Sequence, residues 1–160
     1  MAQAKKKTSE FDPQELLAFL RQDELDYPAG AKKFGEAALP LLAELIEGND
    51  ENLSIKAAYL VGYISGTGAD EILKGAADRG IAPVRIAAAY GAQKREPKIA
   101  EAILQRSLDD NDPSVVKFAM RSASALNMEK NFKSKIDHIS KTFLNDSIKA
   151  DALNLMKKMK

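Results

Sequence analysis

Cysteine and tryptophan are both missing from the 160 residues, and histidine occurs once, at His138. Without cysteine there can be no disulfide, no thiolate metal site and no cysteine nucleophile, and a reducing compartment suits the chain. His138 stands beside Asp137 in Lys135-Ile136-Asp137-His138-Ile139, just off an apolar stripe. Nothing at helical spacing supplies a nucleophile or the further ligands that catalysis or a metal would need, so it reads as a surface histidine. Charge of one sign is also lacking: 24 Lys and Arg stand against 23 Asp and Glu, for a net charge of +1. No global field therefore draws the chain to nucleic acid or to a membrane surface. No apolar run approaches the ~20 residues of a membrane span.

Two stretches imitate functional loops and fail on detail. Gly66-Thr67-Gly68 is followed by no lysine in a phosphate-loop pattern and preceded by no strand, so it reads as a turn between helices. Asp109-Asp110-Asn111-Asp112 has the composition of a calcium loop without its spaced ligands or terminal glutamate, and helix capping accounts for it. At the start, Lys5-Lys6-Lys7 has no apolar segment behind it. A secretory signal is not expected; residues 1–10 read as a loose, disordered tail, and the setting as cytoplasmic.

What the chain does contain is helical periodicity. Phe34, Ala38, Leu41, Leu42, Leu45 and Ile46 form one stripe, and Phe132, Ile136, Ile139 and Phe143 another. No stretch alternates as a strand would. Asp12-Pro13-Gln14-Glu15 is a helix start, with Asp12 as N-cap, Pro13 in the first turn and Glu15 placed to reach back. Asp112-Pro113 repeats the cap-then-proline signal. The expected class is all-α, in many short helices.

Self-similarity sharpens this. An aliphatic residue followed by a basic one opens four segments: Ile55-Lys56, Val84-Arg85, Val116-Lys117 and Ile148-Lys149, which are 29, 32 and 32 residues apart. Each follows a turn rich in Asp, Asn, Gly or Pro, and each turn follows another apolar-periodic helix. Seven residues after the aliphatic position stand Gly62, Gly91 and Ala123 in the first three segments. A fixed period of roughly 30 residues with two helices per unit describes a stacked helical repeat. In such a stack the second helix of each unit is flanked on both sides. That explains the thin stretch Pro83-Val84-Arg85-Ile86-Ala87-Ala88-Ala89-Tyr90-Gly91-Ala92, where Ala87, Ala88 and Gly91 let neighbours approach.

These units resemble HEAT-like repeats of the short kind, about 30 residues long, that also occur in phycobilin lyases. The unit most similar to the family pattern is Leu39-Pro40-Leu41-Leu42-Ala43-Glu44-Leu45-Ile46, a turn, then Ile55-Lys56-Ala57-Ala58 and Gly62. The resemblance covers roughly 32–160 and implies a right-handed α-solenoid, an α-α superhelix of about four helix pairs. Residues 12–22 would form an N-terminal capping helix, and 11–160 a single repeat domain. It also implies a structural ladder, in which Lys56, Arg85, Lys117 and Lys149 bond the acidic turns through Asp50, Asp112 and Asp146.

If positions 0, 3, 4 and 7 of each second helix face the core, positions 2, 5 and 6 face outward. These are Ala57, Leu60 and Val61; Ile86, Ala89 and Tyr90; Phe118, Arg121 and Ser122; Ala150, Leu153 and Asn154. Most are apolar, where a solvated face should be polar. Either the phase is shifted and they are core, or they form an apolar groove on the concave face. The groove reading makes the protein a non-catalytic scaffold or adaptor, monomeric and without a cofactor. Ile86, Tyr90, Phe118 and Arg121, with Tyr59 and Tyr63, would contact a protein partner. The alternatives are nucleic-acid binding along a basic concave stripe, which the balanced charge disfavours, and a phycobilin-lyase-like accessory that binds a tetrapyrrole.

Overall fold

The computed structural model describes residues 11–159, so the expected tail at 1–10 lies outside the described residues. Among these there is helix and turn but no strand. No helix among the described residues is long and apolar enough to cross a membrane. The α-helices are α1 (Pro13–Leu20), α2 (Tyr27–Phe34), α3 (Leu39–Ile46), α4 (Glu51–Val61), α5 (Thr67–Arg79), α6 (Ala82–Gly91), α7 (Pro97–Leu108), α8 (Pro113–Ala125), α9 (Lys133–Thr142) and α10 (Asp146–Lys158).

Local chemistry sets most of their starts. Asp12, Asp50, Asp112 and Asn145 each accept a backbone N–H from the first turn of α1, α4, α8 and α10, at 2.8–3.2 Å. Proline stands in the first two positions of α1, α2, α3, α6, α7 and α8, where its missing N–H costs no intrahelical bond. Glu15 does not close a capping box. Its carboxylate instead lies 3.9 Å from Lys33 on α2.

One helix is absent from the sequence reading. The stripe from Phe34 to Ile46 is not continuous: α2 ends at Phe34, and Gly35 turns the chain with φ of +59°. A short 3-10 turn, Gly35–Ala38, then leads into α3. The left-handed conformation at Gly35 is one that few other residues tolerate. The start of α2 is marked by Asp26, which caps the Ala29 N–H at 3.1 Å, and by Pro28. Phe34 packs edge-on to Phe11 at 6.3 Å and against Phe19 at 5.7 Å, joining α1 to α2.

From α3 onward the helices pair in sequence: α3 packs on α4, α5 on α6, α7 on α8 and α9 on α10. The second members also touch in succession, α4 to α6 to α8 to α10, while α3 touches α5 and α5 touches α7. Each of α4, α6 and α8 is thereby covered on three sides. Leu60, Val61, Ala57, Ala89 and Ser122 are consequently buried, although a one-sided phase places them outward. The correction has a simple cause: a sandwiched helix has a wide apolar arc and leaves only a narrow strip outside.

Closest approach occurs where α4 and α6 meet. A Cβ added to Gly62 would lie 3.2 Å from the Gly91 Cα and 3.3 Å from the Tyr59 carbonyl oxygen. A Cβ on Gly91 would meet the Gly62 Cα at 3.4 Å and Leu73 at 3.5 Å, ordinary contact distances. The two positions should therefore differ. We expect Gly91→Ala to leave the thermal midpoint nearly unchanged, Gly62→Ala to lower it modestly, and Gly91→Leu to cost about 1–3 kcal/mol or more by overpacking. Calorimetry on the three variants checks the order, and equal midpoints for Gly91→Leu and wild type would contradict this helix contact.

Candidate functional site

Of the four basic residues that open the second helices, one forms a rung. Arg85 donates from Nε to Asp110 Oδ2 at 2.8 Å, from NH2 to Oδ1 at 3.1 Å, and from NH1 to the Gly80 carbonyl at 3.0 Å. Its partner is Asp110, not Asp112, which is occupied in capping α8. Asp110 is held in place by the Asp112 N–H at 3.0 Å and has a side chain only 3% exposed. Burial alone would raise its carboxyl pKa. The bonds from Arg85 and the Asp112 N–H, with the charges of Arg85 and Arg106, outweigh that and hold it below the usual carboxylate range.

The other expected rungs are absent among the described residues. Asp50 caps α4 and Lys56 reaches elsewhere, to the Gln22 carbonyl at 2.6 Å. Lys117 and Lys149 form no ion pair with a described residue, and Asp146 sits in the first turn of α10. Acidic pairs run instead between first helices and their turns: Glu47 with Arg79 at 3.6 Å, Asp78 with Arg106 at 3.0 Å, Asp109 with Lys135 at 2.8 Å. These are largely exposed and contribute little each.

The most buried cation is one that sequence reading missed. Arg95, in the turn between α6 and α7, has a side chain 4% exposed and lies 2.9 Å from Asp70 of α5. Its guanidinium donates to the carbonyls of Gly62 at 3.3 Å and Ile64 at 2.8 Å, beyond the end of α4. It thus ties a linker to the preceding second helix, satisfying carbonyls that α4 leaves unpaired. No local motif marks it.

The strip left exposed on α4, α6 and α8 gathers the predicted contact residues. Tyr59 and Tyr63 on and just after α4, Ile86 and Tyr90 on α6, and Phe118 on α8 are all half-buried, and Arg121 is exposed. All four tyrosines of the chain meet here. Tyr27 of α2 stacks on Tyr63 at 5.9 Å with planes 4° apart and lies 5.9 Å from Tyr59, which in turn lies 6.1 Å from Tyr90. The Lys94 ammonium sits 4.7 Å from the Tyr63 ring centre and 5.6 Å from that of Tyr90. One helix further, the Arg121 guanidinium lies 5.5 Å from the Phe118 ring. Burial first, then neighbouring Tyr90, pushes the Tyr63 hydroxyl up to about 12, and burial also raises Tyr27 and Tyr59. Every hydroxyl in the cluster for which burial acts this way stays a neutral donor at neutral pH.

On α10 the equivalent residues Ala150, Leu153 and Asn154 are all exposed. A separate cleft of about 1000 Å³ opens between the α7–α8 turn and α9, with His138 and Phe143 in its wall and Leu144, 98% exposed, at its edge. His138 is exposed there, and no group of three metal-ligating side chains occurs among the described residues. No family model matches the chain, and no curated protein is detectably similar to it.

Two outcomes follow from this geometry. Arg85→Ala leaves the buried Asp110 carboxylate with the Asp112 N–H and the more distant Arg106 and should cost up to about 3–5 kcal/mol in urea unfolding, whereas Arg79→Ala, in an exposed pair, should cost under about 1 kcal/mol. Because the Asp110 value is depressed, its contribution is present above the ordinary carboxylate range and lost as pH falls towards the native value. The tyrosine cluster acts at the other end. Its contribution is full below pH 10.0 and is lost as pH rises towards about 12, since only the unfolded chain ionises readily in that window. Tyrosinate absorbance should show a late step in the native protein that Tyr63→Phe removes.

Proposed function

We propose that the protein is a non-catalytic interaction scaffold or adaptor, built as a HEAT-like right-handed α-solenoid and binding a protein partner along the strip of its second helices. The paired helices, with second members touching in succession, support the solenoid reading. The observation that carries the function is the strip itself: half-buried Tyr59, Tyr63 and Tyr90 cluster with the exposed Lys94, and half-buried Phe118 on the next second helix carries the exposed Arg121. Tyrosine and arginine together are the composition of binding hot spots. Their rings need no further chemistry to act there. A monomeric, cytoplasmic setting belongs to the same proposal and rests on the cysteine-free composition.

Affinity capture with the wild type and with Tyr90→Ala/Arg121→Ala tests it. Hot-spot truncations typically cost at least ~2 kcal/mol each, so the double variant should lose its specific partner while its melting temperature falls by no more than a few degrees. Unchanged capture by the variant would overturn the assignment. So would a collapse of stability that shows these side chains to be core.

A further inference from the structure

We propose, on the basis of that reading, that the partner segment is acidic and extended, its carboxylates meeting a row of cations that the fold leaves unspent. The sequence of α6 and α8 contains Arg85, Lys117 and Arg121 but no Asp or Glu. Arg85 is committed to Asp110. Lys117 and Arg121 on α8 and Lys149 on α10 form no ion pair among the described residues, and Lys94 rests only on the tyrosine rings. Asp151 shares a shallow depression with Lys117 and Arg121 without pairing with either. Exposed charges without partners gain most from a partner of opposite sign, which also speeds and orients encounter.

The aromatic groups favour a peptide over a nucleic acid. Bases bind such surfaces by stacking on free ring faces. Here Tyr63 is already covered by Tyr27, and the Lys94 ammonium lies over its ring. With one face of that ring stacked and the ammonium over it, the cluster suits carboxylates, carbonyls and aliphatic side chains better than a stacked base. Ile86 and the half-exposed Leu153 extend the apolar component. Packed helices lie about 8–10 Å apart and an extended chain advances about 3.3 Å per residue, so roughly three residues pass from one helix to the next. Acidic residues spaced about three apart would meet successive cations.

Selection from a random peptide library of about twelve residues on the immobilised full chain, with a poly-dT oligonucleotide as competitor, provides the test. Selected peptides should be enriched in Asp and Glu interleaved with apolar residues. Their Asn and Gln counterparts should bind at least about tenfold more weakly at low salt, with the difference shrinking as salt rises. Lys117→Glu/Arg121→Glu, both at accessible positions, should abolish the enrichment without changing the melting temperature. Neutral or basic selected peptides that still compete with Tyr90→Ala-sensitive capture would overturn the acidic preference and leave the scaffold reading standing. Oligonucleotide binding tighter than that of any peptide would overturn both. No enrichment of any peptide would overturn the acidic segment, and the capture experiment then decides the scaffold reading by itself.

Discussion

The contact between the Gly62 and Gly91 backbones governs what the rest of the molecule can present. Two helices that meet at glycine lie closer than side chains would otherwise permit, and the neighbouring small residues Ala57, Ala58, Ala87, Ala88 and Ala92 continue the seam. Between α6 and α8 the seam becomes Ala89 against Ser122, whose hydroxyl donates to the Ala89 carbonyl at 2.7 Å and accepts from Gln93 at 3.0 Å. Close spacing brings exposed strips from different helices within reach of each other. Tyr59 and Tyr90 are 31 positions apart in sequence, yet their rings touch because of it.

Cations divide into two groups by what surrounds them. Arg95 and Arg85 are enclosed, each paired with a carboxylate and donating to backbone carbonyl oxygen, although the Arg95 Nε itself makes no hydrogen bond. Arg121 is exposed, Lys117 and Lys149 are half-buried, and none of the three forms an ion pair among the described residues. Guanidinium suits the first role, since it loses less hydration on burial and donates in several directions at once. The lysines of the repeat stand at positions equivalent to Arg85 yet do not repeat its bonding, so equivalence of position does not enforce equivalence of contact.

Much of this was legible in the chain. All-α structure followed from the apolar periods and from Asp12 and Asp112 standing where a cap was needed, because capping is a short-range interaction that sequence spacing determines; Asp50, read as a ladder residue, proves to be a cap as well. The close approach at Gly91 was read from the thin, small-residue helix around it, while its partner across the contact, Gly62, emerged only in the structure. The break at Gly35 was not legible, since the apolar stripe runs through it unaltered and only the positive φ reveals the turn. Nor was Arg95, whose partners at Gly62 and Ile64 lie some thirty residues away across a tertiary contact. The exposed strip was half legible. Its residues Ile86, Tyr90, Phe118 and Arg121 were chosen from a phase that buried Leu60, Val61, Ala89 and Ser122 show to be too coarse.

A surface assembled in this way differs from a catalytic pocket in where its information resides. Each helix contributes one or two side chains, none of them unusual by itself, and no pair adjacent in sequence forms a motif. Recognition then depends on the spacing between helices, which the small-residue seam fixes, and on the sign of the charges left over after folding. The tyrosines add rigidity, since rings packed against one another lose little freedom when a partner arrives. Lys94 over two of those rings couples the two features, placing a positive charge on the apolar patch itself. A partner that matched only the apolar patch would desolvate that ammonium without compensation, and one that matched only the charge would leave the rings half exposed. Under the proposed scaffold reading, both demands together would favour a ligand that is apolar and negatively charged along one line.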